Sequence, residues 1–81
     1  MGGPEDILEA ARRNPRDIRF AELVRLVEAL GFKRRRTSGS HHIFKAPGLP
    51  LINLQSEGGK AKPYQVRQVI DLVEQYKLEV K

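Results

Sequence analysis

The chain has 81 residues, no cysteine, two histidines and a net charge of +5 at pH 7. A unit this small buries only ~60% of the surface its unfolded form exposes, and without cysteines it has no disulfide or Cys-based zinc site to reinforce the core. No apolar run reaches the ~20 residues of a membrane-spanning helix, and the amino terminus lacks the basic-then-apolar order of a signal peptide, so a soluble cytoplasmic protein with no membrane partner is expected.

Met1-Gly2-Gly3 does not open a myristoylation signal, because Asp6 stands where Ser or Thr is needed. Pro4-Glu5-Asp6 instead starts a helix: proline suits the first helical position and carboxylates favour the positive end of the helix dipole. Arg12 and Arg13 suit its last turn, and Asn14-Pro15 stops it. Phe20, Leu23, Val24, Val27 and Leu30 then recur at helical spacing and end at Gly31, which predicts the first core helix. From Phe32 onward, short β-prone runs are separated by the turns Ser38-Gly39-Ser40 and Ala46-Pro47-Gly48. Three antiparallel strands are predicted, near residues 33–37, 41–45 and 51–54. Glu57-Gly58-Gly59 reads as a loop, and Pro63 begins a helix whose Val66, Val69, Ile70, Val73 and Tyr76 face the core.

The expected fold is therefore α+β, with the order α-β-β-β-α. A three-stranded antiparallel sheet carries two helices on one face, preceded by an amino-terminal accessory helix. Residues 1–81 form a single domain, with 1–17 the accessory helix and linker and 18–81 the core. The second sheet face is left to solvent or to a partner.

Charge is unevenly distributed. Between Gly31 and Lys62 seven basic residues stand against Glu57 alone, a local excess of +6, whereas the remainder carries eight basic and nine acidic residues. A localised anion-binding surface follows, and a nucleic-acid backbone is the leading partner. The densest run, Lys33-Arg34-Arg35-Arg36, alternates sides if it is a strand, so two of the four side chains lie above the face that the helices cover. An edge strand resolves this conflict, and its charges are equally suited to discouraging edge pairing and to holding phosphates. Lys60 and Lys62 precede a helix start, where a positive charge opposes the dipole unless a phosphate sits there. A solvated basic loop is the competing reading. Tyr64, at the exposed start of that helix, is a lesser possibility for stacking on a base.

His41 and His42 are adjacent on a predicted strand, point to opposite faces, and cannot chelate one metal together. His41, Ile43 and Lys45 share one face, and His42, Phe44 and Ala46 the other. Because Lys45 requires water and Phe44 the core, His41 belongs on the open face beside the Ser38-Gly39-Ser40 turn. An exposed imidazole can exchange a proton near neutral pH, which is what metal-free RNA cleavage through the ribose 2′-OH requires. An ordinary surface histidine fits the same pattern. No metal or cofactor is implied.

Leu30-Gly31-Phe32 closing a helix, Gly39-Ser40-His41 with Phe44 after two intervening residues, Pro47-Gly48 at the next turn, and Gly59-Lys60 followed by Lys62-Pro63 together resemble the HicA family of toxins, from about Phe20 to Leu78. The resemblance implies a fold like the double-stranded RNA-binding domain. It also implies mRNA interferase activity, in which the motif histidine, here His41, cleaves RNA, and inhibition by a HicB-like antitoxin. The chain departs from the family pattern in having Asn53-Leu54-Gln55-Ser56 where a proline and a second histidine are usual, and Pro63-Tyr64-Gln65 in place of Pro-Gly-Thr. Three functions are then in view. One is an endoribonuclease with His41 as the catalytic group, and with Arg34, Arg35, Arg36, Ser40, Lys45, Lys60 and Lys62 on the RNA. The others are a non-catalytic RNA-binding module with the same contacts, and a protein whose open sheet face is covered by another chain.

Overall fold

A computed structural model describes residues 3–81. Met1 and Gly2, the first residues of the motif set aside above, lie outside the described residues. Among the described residues there are three helices, α1 (Pro4–Arg13), α2 (Phe20–Ala29) and α3 (Pro63–Tyr76), and four strands, β1 (Lys33–Ser38), β2 (His41–Lys45), β3 (Ile52–Glu57) and β4 (Lys60–Ala61). The strands form one antiparallel sheet in sequence order. Among the described residues no helix is long and apolar enough to cross a membrane.

The fourth strand corrects the expectation of three. Gly58 and Gly59 both take positive φ, 60° and 78°, the backbone that a two-residue hairpin turn requires and that a side chain would oppose. The expected loop is therefore a tight reversal. Lys60 and Ala61 pair back onto Glu57 and Ser56 before Pro63 can start the helix. The third strand also begins and ends later than the pattern suggested: Leu51 is left 61% exposed, and the pairing continues to Glu57. Beyond β4, the Phe20 amide donates to the Gly59 carbonyl and the Ala61 amide to the Ile18 carbonyl, so the entry to α2 lies against the outer edge of the sheet.

Phe44, Ile52, Leu54 and Ala61 line the covered face of the sheet, where they join Leu23, Leu26 and Val27 of α2 and Val66, Val69 and Val73 of α3 in one core. Ile7 and Ala11 of α1 are buried in the same cluster, and Arg12 of α1 pairs with Glu74 of α3 at 2.7 Å on the surface. Tyr76, expected on the core face, is instead 40% exposed. The last core contact of α3 is Val73. Lys77 then adopts a left-handed conformation, and the Leu78 amide returns to the Val73 carbonyl, so Leu78 packs on the core beyond the helix end.

Candidate RNA-cleavage site

The β1–β2 hairpin turns through Gly39 and Ser40, with Ser38 paired to His41. Gly39 takes φ 61° at the first central position, the residue a two-residue turn of this kind asks for. The turn sets the register of β2 at its first residue. His42 and Phe44 pair with Leu54 and Ile52 and face the core, which turns His41, Ile43 and Lys45 to the opposite side. His41 is exposed. His42 is half-buried, with its ring 4.9 Å from that of Phe20 and its Nδ1 3.4 Å from Thr37 Oγ1.

The open face around His41 is polar and tied together. Gln55 pairs directly with His41 across the strands, and Asn53 lies diagonally beyond it. The Asn53 Oδ1 is 3.4 Å from His41 Nδ1. Lys62, the residue that caps the start of α3, donates from Nζ to Gln55 Oε1 at 3.2 Å and lies 3.7 Å from a Glu57 carboxylate oxygen. The ammonium is thereby drawn to the strand that faces the imidazole. Lys60, expected beside Lys62 in a loop, is instead held in β4 opposite Glu57.

One buried polar residue supports this arrangement. The Gln65 side chain, in the first turn of α3 and only 5% exposed, accepts from the Gln55 amide at 2.9 Å and donates to the Asn53 carbonyl at 3.2 Å. Since β4 pairs only with Ser56 and Glu57, the preceding stretch of β3 is flanked by β2 on one side and has no strand on the other. The Gln65 amide supplies its hydrogen bonds in place of a strand. Buried polar groups are stable only when paired in this way.

The basic run takes a different course from the strict alternation expected. A bulge at Arg35 interrupts the pairing of β1 with β2, leaving Lys33 beside Lys45 and Arg36 beside Ile43 on the open side. Arg34 alone is paired on the covered side, with its guanidinium 5.4 Å from the centre of the Phe44 ring. It satisfies the conflict as a cation stacked on the edge of the core. Every residue of β1 is exposed. Lys33, Arg35 and Lys45 line a shallow hollow at the far end of the β1–β2 pair from His41. Ser40 lies in the turn, and its carbonyl accepts from the Ser56 amide at 3.1 Å.

Asn53, Gln55 and Gln65 stand in the sequence only as departures from the family pattern, not as site residues. The alternation of buried Ile52 and Leu54 with Asn53 and Gln55 puts the latter two on the open face. That signal is legible in the chain. Their approach to His41 requires the β2–β3 register, and the role of Gln65 requires the gap left by a two-residue strand.

Residues 20–75, which contain α2, the whole sheet, His41 and most of α3, match the family model described as the HicA toxin of bacterial toxin-antitoxin. No curated protein and no solved structure matches the chain. The matched segment covers well over half of the sequence and holds the histidine hairpin, the β3–β4 turn and the start of α3 in the order described, and on that basis the chain belongs to the HicA toxin family.

Proposed function

We propose that this protein is a metal-independent endoribonuclease, an mRNA interferase, in which His41 moves the proton. The observation that carries the reading is the exposed imidazole on the open sheet face, with Asn53 at its Nδ1 and the Lys62 ammonium drawn to the neighbouring strand. Nε2 takes the proton of a ribose 2′-OH, and the oxygen attacks the adjacent phosphorus in line as the bond to the 5′ oxygen breaks. The products are a 2′,3′-cyclic phosphate and a 5′-hydroxyl, whose oxygen takes up a proton as it leaves. Lys62 stabilises charge on the phosphoryl oxygens. Lys60, Arg35, Arg36, Lys45 and the turn residue Ser40 hold the flanking backbone. A HicB-like antitoxin silences the toxin by covering this face.

The two histidines provide the test. His41→Ala lowers cleavage by at least ~10²-fold, the low end for losing a general acid or base, with little change in stability. His42→Ala, which removes the ring packed on Phe20, costs on the order of 1 kcal/mol of stability and retains cleavage while folded. A 2′-deoxy substrate is left intact. Cleavage of ribose and deoxyribose strands at equal rates rules out the 2′-OH mechanism, and RNA binding without cleavage by the wild type replaces the nuclease with a binding module.

A further inference from the structure

We propose that Asn53 is a positioning residue for His41: its side-chain oxygen holds the imidazole in the tautomer that carries its proton on Nδ1, leaving the Nε2 lone pair free. This rests on the nuclease reading for its consequence, but the tautomer can be observed without it.

The geometry supplies the argument. Asn53 Oδ1, an acceptor, is 3.4 Å from His41 Nδ1, so a neutral imidazole in contact with it donates from that nitrogen. A neutral histidine without such a partner favours the proton on Nε2, which would cap the nitrogen assigned here as the base. Which ring nitrogen is free is set by the hydrogen bond the other one makes. Asn53 is itself fixed from behind: its carbonyl accepts from Gln65 Nε2 at 3.2 Å, and the neighbouring Gln55 amide donates to Gln65 Oε1 at 2.9 Å. A chain of contacts thus runs from a buried amide in α3, through the β3 backbone, to the exposed imidazole. The Asn53 side chain is exposed and its backbone is held independently, so replacing the side chain leaves the strand intact.

The experiment uses nitrogen-15 spectra of the full chain, at a pH where the histidines are neutral, with the His41 signals assigned by their loss in His41→Ala. Wild type is expected to show a protonated Nδ1 and a bare Nε2 on His41. Asn53→Ala shifts the population toward Nε2–H, and Asn53→Asp, whose carboxylate can only accept, retains Nδ1–H. In cleavage assays Asn53→Ala lowers kcat by at least about tenfold with KM unchanged, as expected when a base is left in the wrong tautomer, and Asn53→Asp recovers part of the loss. A wild-type His41 protonated on Nε2 overturns the proposal whether or not RNA is cut. So does an unchanged kcat in an Asn53→Ala protein whose tautomer has shifted. If the predicted tautomer series is seen but the wild type cuts no RNA, the positioning contact stands and the nuclease reading alone fails.

Discussion

Replacing Gln65 tests how the site strand is held. Gln65→Ala removes the acceptor from the Gln55 amide and the donor from the Asn53 carbonyl, both main-chain groups of β3. An unpaired buried polar group costs ~1–3 kcal/mol; at the margin of the sheet, water reaches into the vacated space, which favours the low end. About 2 kcal/mol of lost stability is expected for the pair, and for a domain of this size that corresponds to a fall of roughly 10–15 °C in Tm. Gln65→Glu separates the two contacts, since a carboxylate still accepts from the Gln55 amide but sets an oxygen against the Asn53 carbonyl. That carboxyl is more easily kept protonated in the folded state than in the unfolded chain, so its folded pKa is raised. The stability it contributes is present at acid pH and is lost as pH rises through the carboxylate range, the reverse of an ordinary paired carboxylate. Thermal melts followed by circular dichroism should show Gln65→Glu close to wild type near pH ~4 and close to Gln65→Ala near pH ~7.5, with each variant referred to wild type at the same pH. A Tm for Gln65→Ala within a degree or two of wild type would refute the assignment of Gln65 as the substitute strand.

Two further outcomes follow from the same structure. RNA binding should weaken steeply with salt, with a log–log slope of roughly −4 to −5 for five to seven single-strand phosphate contacts, and Lys60→Ala with Lys62→Ala should flatten it by about one to two units; an unchanged slope in filter-binding titrations removes these lysines from the surface. Deleting residues 2–14 takes Ile7 and Ala11 out of the core, at a cost of about 2–3 kcal/mol for the isoleucine, and should still leave a cooperative melt at lower temperature. Loss of any thermal transition would show that α1 is required to complete the fold.

The parts of this molecule legible in the sequence are those fixed by local pattern. The spacing of Leu23, Val27, Val66, Val69 and Val73 marks both core helices, and the alternation of Lys45 with Phe44 turns His41 to the open face without any knowledge of what β2 pairs with. Three features depend on contacts between distant segments and were not legible. The β4 strand is two residues long, too short to show any alternation, and exists because Gly58 and Gly59 fold the chain straight back. The bulge at Arg35 lets a four-residue basic run avoid directing two charges inward, an option that strict alternation does not contain. Gln65 looks like an ordinary polar residue in the first turn of a helix and becomes structural only because part of β3 lacks a strand on the side away from β2. Tyr76 fits the helical stripe but is the last residue of α3, one turn beyond Val73, where the core under the helix ends.

The margins of the sheet also restrict how another protein can approach. On one side β1 is interrupted by a bulge and lined with charged side chains, which disfavours the addition of a strand. On the other, the residues entering α2 are hydrogen-bonded to the β3–β4 hairpin, and the stretch of β3 beyond β4 is already occupied by a side-chain amide. Recognition by extending the sheet is therefore disfavoured at both margins, and the route this leaves to a protein that holds the molecule is through side chains laid across its surface.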